Sequence, residues 1–315
     1  MTGSAGAIAG AAATGTAAAS FTRAAKVAYR KDGWLWVAGE DGTGAKKVAQ
    51  AAAGSFALAP DGATLAYEDS VRSLRLAPVA GGAAKNAGPM VAGSPIAWAP
   101  SSAWLAYAAP TGVRRVDRDG SAGAPLIAGV APAVSADGVR VGVVQARAGL
   151  PDALAFADSK GGPVGAVTGA EHPETFAWLD ARRVAVVVRG LSVQGGTEYS
   201  IGVAEVPGGA LTAVTTHEAE ARAVPTAMCA SPDGRHIAWA DQGDDGWSRT
   251  YLLDTQGGSP VLASKRYDTY PLCWSANGKR LFVIEGNAWQ GQATRLVSLS
   301  ADATDKRVIV EGAGL

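Results

Sequence analysis

The chain has 315 residues, with 28 basic and 28 acidic side chains, so its formal net charge is zero. This balance argues against non-specific nucleic-acid binding and against a polybasic membrane surface, because both need an excess of basic residues. Hydrophobic residues make up 48% of the chain, enough for a large core, and no apolar run is long enough to span a bilayer. Two cysteines cannot build a disulfide framework, and no cysteine–histidine cluster indicates zinc.

The first 19 residues are rich in alanine and glycine, and the first basic residue of the chain is Arg23. The segment TAAAS matches the small-residue pattern of a signal-peptide cleavage site, but a basic region ahead of it is absent. We interpret residues 1–19 as either an atypical export signal or a flexible lead-in. One domain is expected to follow over residues 20–315.

Six segments repeat one pattern, in which an apolar strand, a tight polar turn and a second apolar strand follow each other. The turn positions are Asp61, Ser101, Asp137, Asp180, Asp233 and Asn277. Repeats of about 40–45 residues that lack helical periodicity are typical of β-propeller blades with four strands each. The sequence therefore predicts an all-β protein with a single propeller domain.

The second strand of each repeat carries a branched aliphatic residue, then a small residue, then a large apolar residue. Near-continuous apolar character indicates strands buried on both faces, and a small residue allows close packing of neighbouring sheets. The small positions are Ala66, Ala106, Gly142, Ala185 and Ala238, with Phe282 as the exception. We call these the small-residue positions.

A seventh blade is predicted at the start of the domain, because Val27–Tyr29 fits the same triplet. Trp34–Val37 would form its third strand and Lys46–Ala49 its fourth. Its innermost strand would fall at about residues 17–22, where AAASFT is a poor match. Seven blades are therefore predicted, with six as the alternative.

The segments APDGATLAYE and SPDGRHIAWA, with SANGKRLFVI as a variant, closely resemble the repeat of TolB-like propellers, which is the SPDG-containing relative of the WD repeat. The resemblance covers about residues 20–312 and implies the propeller fold. Members of this family are often exported bacterial proteins that bind other proteins, and the same blades occur beside peptidase domains and in some lyases. The resemblance thus implies a protein partner and, with the TAAAS segment, an extracytoplasmic location. Ser101-Ser102 and the shortened turn at Asp180 depart from the motif, which leaves the register of blades 3 and 5 open.

The aspartates at the turn positions are predicted to be structural. Asp and Asn side chains close tight turns by accepting a hydrogen bond from the backbone two residues further on. One carboxylate per blade is also too widely spaced for paired acid–base catalysis.

The two cysteines, Cys229 and Cys273, occupy the same position on the innermost strands of adjacent blades, where other blades have alanine. Equivalent positions point the same way around the ring, so we predict two buried, inert thiols and no disulfide.

The sequence contains no G-x-S-x-G element, no Walker loop and no GxGxxG motif. Its three histidines are too few for a histidine-rich metal centre; we place His172 and His217 in loops between blades and His236 at the start of a second strand. No catalytic residue, metal site or cofactor is predicted.

The strongest functional indication is loop length. In a four-stranded blade, the connection between the second and third strands shares one face of the disc with the connection to the next blade. These connections lengthen in blades 4 to 7, as in QARAGLPDA, RGLSVQGGTEYS, DQGDDGWSRT and EGNAWQGQAT, and SKRYDTYP joins the same face. Long loops on a rigid scaffold commonly carry function, and aromatic and arginine side chains rimmed by polar ones are typical of interfaces. The candidate partner-binding residues are Asp244, Asp245, Trp247, Arg249, Arg266, Tyr267, Asp268, Tyr270, Asn287, Trp289 and Gln290.

The sequence favours a non-catalytic propeller that binds a protein partner through the loops of blades 5–7. One alternative is an enzyme or a glycan- or peptide-binding protein that uses the same face and the central channel. Another is a structural subunit of a larger extracellular assembly. A purely structural role for Trp247 and Trp289, covering the blade edge, also stays open.

Overall fold

A computed structural model describes residues 25–50, 54–191, 197–218, 227–242, 247–264, 269–275, 277–286 and 294–313. These residues form 27 strands in seven antiparallel sheets. No helix in the described part of the chain is long and apolar enough to cross a membrane.

Each sheet is a meander of consecutive strands, numbered outward from the ring axis. Blade 1 comprises β1 (Lys26–Lys31), β2 (Trp34–Gly39) and β3 (Lys46–Gln50), and blade 2 comprises β4 (Phe56–Leu58), β5 (Thr64–Glu68), β6 (Ser73–Pro78) and β7 (Lys85–Pro89). Blade 3 comprises β8 (Ile96–Trp98), β9 (Trp104–Ala109), β10 (Gly112–Asp117) and β11 (Ala122–Ile127), and blade 4 comprises β12 (Val130–Val134), β13 (Arg140–Arg147), β14 (Leu150–Asp158) and β15 (Pro163–Glu171). Blade 5 comprises β16 (Pro173–Trp178), β17 (Arg183–Leu191), β18 (Thr197–Glu205) and β19 (Thr212–Glu218). Blade 6 comprises β20 (Ala227–Ala230), β21 (His236–Gln242), β22 (Ser248–Asp254) and β23 (Val261–Leu262), and blade 7 comprises β24 (Thr269–Trp274), β25 (Arg280–Glu285), β26 (Arg295–Ser300) and β27 (Lys306–Glu311).

The ring closes between blades 7 and 1. Seven hydrophobic clusters each join two neighbouring blades, and one of them packs Val27 and Tyr29 of blade 1 against Phe282 and Ile284 of blade 7. The predicted second, third and fourth strands of blade 1 are present, while its predicted innermost strand at residues 17–22 lies outside the described residues. The chain is therefore a seven-bladed β-propeller, as the repeats predict.

The registers of blades 3 and 5 match those of the other blades. Ala97 pairs with Ala106 and Ala177 pairs with Ala185, as Ala57 pairs with Ala66 in blade 2. The departures at Ser101-Ser102 and Asp180 therefore alter the turns without shifting the strands.

The small-residue positions face the next blade around the ring, and their flanking residues face the previous one. Ala66 belongs to the cluster between blades 2 and 3, whereas Leu65 belongs to the cluster between blades 1 and 2. Gly142 shows why this position is small, because a Cβ there would lie 2.7 Å from Cε2 of Phe176 and 2.9 Å from Cε1 of Phe156. Space for the neighbouring blade's side chains decides the residue at this position.

The turns between first and second strands, which we call the inner turns, are closed by the side chains predicted to close them. Asp61 accepts a hydrogen bond from the backbone N–H of Ala63 at 3.0 Å, and Asp233 accepts one from Arg235 at 3.1 Å. Equivalent bonds are made by Asp137, Asp180 and Asn277. In blades 2, 4, 6 and 7 the residue after the turn position is a glycine in a left-handed conformation, which glycine permits at no steric cost. Blade 3 places Ser102 there instead, with φ 59°.

Two predicted loops are wrong in part. QARAGLPDA of blade 4 is mostly strand, because β13 and β14 extend until Arg147 pairs with Leu150, leaving only residues 148 and 149 between them. The sequence predicts a loop at His217, whereas this residue lies in β19, opposite Tyr199 of β18. Period-two alternation is weak in both segments, so their continuation as strands has no clear sequence signal.

Both cysteines are free thiols on innermost strands. Cys229 packs on the cluster between blades 6 and 7, and Cys273 packs on the cluster between blades 7 and 1. The two thiols thus point toward different interfaces, as their equivalent positions predict.

Burial raises the pKa of the Cys229 thiol to about 12. Since the thiolate is the reactive form, only about one in ten thousand molecules would carry it at pH 8. In a Cys273→Ser variant, we expect a disulfide-exchange reagent to label native Cys229 about a thousandfold more slowly than the urea-unfolded chain. Similar labelling rates for the native and unfolded chains would contradict an inert Cys229.

Candidate interaction site

Three of the candidate partner-binding residues are described by the structure, namely Trp247, Arg249 and Tyr270. The other eight lie outside the described residues: Asp244, Asp245, Arg266, Tyr267, Asp268, Asn287, Trp289 and Gln290. The described part of the site consists of the strand ends that flank the remaining candidate residues. We call the face with the connections between second and third strands the long-loop face, and the opposite face, with the inner turns, the turn face.

Trp247 and Arg249 lie where β22 begins, on the long-loop face of blade 6. Trp247 directly precedes the strand, and Arg249 pairs with Asp241 of β21. Both side chains are half-buried. A tryptophan and an arginine at the start of one strand combine apolar area with charge, as interface anchors do.

Tyr270 lies in a strand, although the sequence placed it in a connection. It is the second residue of β24, and its hydroxyl accepts a hydrogen bond from Ser248 Oγ at 2.7 Å. The start of β22 in blade 6 is thereby tied to the start of β24 in blade 7. Ser248 is the residue that follows Trp247 in the chain. By binding Ser248, Tyr270 therefore helps to fix the position of Trp247.

A second hydroxyl contact reinforces the same seam. The backbone N–H of Thr250 donates to Thr269 Oγ1 at 2.7 Å, and both threonines are fully buried. These buried hydroxyls fix a particular pairing of the strand ends of blades 6 and 7. We call Ser248, Thr250, Thr269 and Tyr270 the hydroxyl seam.

Glu285 is a buried carboxylate at the same end of blade 7, and the sequence analysis did not single it out. Its Oε1 accepts bonds from Lys306 Nζ at 2.6 Å and Ser264 Oγ at 2.8 Å, and its Oε2 accepts one from Arg295 Nε at 3.1 Å. Burial alone would raise the pKa of Glu285, but the bonds and charges of Lys306, Ser264 and Arg295 outweigh it and lower the pKa. One acidic residue ending an otherwise apolar strand, RLFVIE, is the signal that could have identified it.

Glu285 binds residues that flank two segments with candidate binding residues. Ser264 is the last described residue before the loop that contains Arg266, Tyr267 and Asp268, and Arg295 begins the strand that follows the loop with Trp289. A carboxylate held by two cations is a poor general base, because its charged form is stabilised. The arrangement is therefore suited to holding a binding surface in place.

The two histidines with described side chains, His172 and His236, do not converge on this site. His236 lies at the start of β21 with its ring centroid 5.5 Å from that of Trp274, and His172 lies between β15 and β16. Within the ranges that the structure describes, no group of three or more His, Cys, Asp or Glu side chains is close enough to hold a metal ion.

No family model and no curated protein matches the sequence. Solved structures do match the fold. TolB from Acinetobacter baumannii superposes with a TM-score of 0.52 and 18% identity, over 74% of this chain and 58% of that one. A putative TolB from Agrobacterium tumefaciens gives a TM-score of 0.54 and 16% identity, over 73% of this chain and 86% of that one.

A peptidase is also similar. A prolyl endopeptidase superposes with a TM-score of 0.63 and 13% identity, over 96% of this chain and 51% of that one. This chain thus spans little more than half the length of TolB from Acinetobacter and of the endopeptidase. The resemblance to TolB-like propellers is confirmed at the level of the fold, which TolB proteins and peptidases share.

Proposed function

We propose that this chain is a non-catalytic propeller that binds a partner protein through the long-loop face of blades 5–7. The observation that carries the proposal is a set of buried polar contacts at the strand ends that flank the loops, formed by the hydroxyl seam and by Glu285 with its three partners. We call these contacts the frame. Binding residues need such support, because side chains already held in place lose less entropy on association. Trp247 and Arg249 are the anchors that this frame presents.

The structural neighbours include both TolB proteins and peptidases, and the TolB-like repeats are what favours the binding role. The fold is that of TolB proteins, and the resemblance of the repeats to exported TolB-like propellers favours a partner outside the cytoplasm. The peptidase neighbours raise the alternative of an accessory blade ring beside a hydrolase.

The test is partner capture with a matched control. Trp247→Ala with Arg249→Ala removes the two anchors, while Trp34→Ala removes a half-buried tryptophan at the start of β2, the equivalent position on the same face of blade 1. We expect the wild type and Trp34→Ala to retain the same protein from an extract of the native source. The double variant should bind that protein, once purified, at least tenfold more weakly, since anchor residues each contribute about 1–2 kcal/mol or more.

Equal affinity of the double variant and Trp34→Ala would place the interface elsewhere. Turnover in a screen of peptide and glycan substrates, lost in the double variant, would favour the enzyme alternative. Unchanged thermal unfolding of both variants is the control for folding.

A further inference from the structure

The inner turns of blades 5, 6 and 7 carry a set of basic side chains on the turn face, opposite the site proposed above. Arg182, Arg235 and Lys279 each lie two residues after the turn position of their blade, and all three are exposed. We call these three residues the basic arc. Blades 2, 3 and 4 have uncharged residues at the same position: Ala63, Ala103 and Val139.

The charge of the basic arc is not cancelled by its own turns. Residues 180–183, 233–236 and 277–280 contain five lysines and arginines and two aspartates. Asp180 is paired with Arg183 at 2.6 Å, and blade 7 has the neutral Asn277 in place of an aspartate. Among the described residues, no carboxylate lies within 4.0 Å of Arg182 or Lys279. The one carboxylate near Arg235 in the part of the chain that the structure describes is Asp254, at 3.9 Å.

The three turns form one continuous surface. A Cβ placed on Gly234 would lie 2.6 Å from the carbonyl oxygen of Leu179, and one on Gly278 would lie 3.7 Å from Cδ of Pro232. Stacked sheets pack about 10 Å apart, so equivalent residues of neighbouring blades are separated by about that distance. An extended chain in the polyproline II conformation rises about 3.1 Å per residue with three residues per turn, so side chains three residues apart lie on one side of the chain at about this spacing.

The surroundings favour a narrow ligand. Acidic residues of the outer hairpins lie outside the arc, namely Glu205, Asp254, Asp302 and Asp305. They would repel a flat anionic membrane, whereas a single chain lying along the inner turns avoids them. The turn backbone N–H groups of Arg182, Arg235 and Lys279 already donate to Asp180, Asp233 and Asn277, so the turns offer no backbone nest for a phosphate.

We propose that the basic arc binds an extended acidic protein segment that carries a carboxylate at about every third residue. The contacts are three separate ion pairs on adjacent blades, one each with Arg182, Arg235 and Lys279. The binding is therefore salt-sensitive and independent of the long-loop face.

The test uses a synthetic peptide with glutamate at every third position and glycine and serine between. Its fluorescence anisotropy is titrated with the full chain at low ionic strength and again at about 0.3 M salt. We expect binding at low salt, and about tenfold weaker binding by the Arg182→Ala/Arg235→Ala/Lys279→Ala variant. The matched control, Arg72→Ala/Arg147→Ala/Lys160→Ala, removes three other exposed basic residues and should bind the peptide as the wild type does.

Equal weakening in the two triple variants would reduce the effect to net charge and overturn the proposal. A control peptide has glutamine in place of each glutamate, and binding of this peptide as tight as that of the glutamate peptide would also overturn the proposal. Binding of anionic vesicles or of a single-stranded oligonucleotide that is tighter than peptide binding and lost in the arc variant would assign the arc to those ligands instead. The Trp247→Ala/Arg249→Ala variant should bind the peptide normally, which separates this site from the proposed partner interface.

Discussion

Replacing Glu285 by alanine is expected to lower the free energy of unfolding by about 3 kcal/mol. Removing one member of a buried ion pair leaves its partners without compensation, which typically costs 3–5 kcal/mol. The value should fall at the lower end, because Arg295 and Lys306 are 18% and 33% exposed and regain some water. Urea denaturation followed by tryptophan fluorescence measures the change.

Asp305→Ala is the matched control, because it breaks an ion pair in the same blade at the surface. Asp305 is 48% exposed and pairs with Arg280 at 2.8 Å and with the exposed Arg307 at 3.0 Å. Exposed pairs contribute at most about 1 kcal/mol, so this variant should be nearly as stable as the wild type. A loss in Glu285→Ala no larger than in Asp305→Ala would show that the Glu285 contacts do not stabilise the frame under the long loops.

Phe282→Ala is expected to destabilise the ring by about 3–5 kcal/mol, the range for deleting a buried phenylalanine side chain. Phe282 is 1% exposed and belongs to the cluster that joins blades 7 and 1. The loss should be concentrated at that joint. Hydrogen exchange should therefore show faster exchange of the amides in β1 and β25 than in the other blades.

Leu154→Ala provides the comparison, because it deletes a fully buried side chain from the cluster between blades 4 and 5. It should lower stability by about 2–5 kcal/mol without selective exposure of β1. Exchange that increases evenly over all seven blades in Phe282→Ala would mean that the joint is no weaker than any other interface.

The repeat pattern predicts the fold because each blade reuses the same packing solution. Ala66, Ala106, Ala185 and Ala238 recur because the next blade approaches closely at that position, and spacing along the chain records this directly. The turn aspartates are equally readable, since their bonds involve residues only two positions away.

The polar contacts that support the candidate site cannot be predicted from the sequence in the same way. Ser248 and Tyr270 are 22 residues apart, and Ser264 and Glu285 are 21 apart, so only the stacking of blade 7 on blade 6 brings each pair together. The polar segment SKRYD predicts a connection that includes Tyr270, whereas Tyr270 lies in β24 and contacts blade 6. Long-range polar contacts of this kind leave no periodic signal in the sequence.

The closure of the inner turns by carboxylates has a consequence for behaviour in acid. Hydrogen bonds from Ser231 Oγ and from the Arg235 backbone N–H lower the pKa of Asp233. Burial raises the pKa of Asp137 and Asp180, but their hydrogen bonds outweigh it, so these values are lowered as well. The stabilisation of these turns by the charged carboxylates is therefore complete above the usual aspartate pKa of about 3.9 and is lost as pH falls through the lower native values.

Blade 3 closes its turn with Ser101, and blade 7 with Asn277; neither side chain takes up a proton in this range. Protonation therefore loosens the turns of blades 4, 5 and 6 and spares those of blades 3 and 7, which makes acid sensitivity uneven around an otherwise repetitive ring.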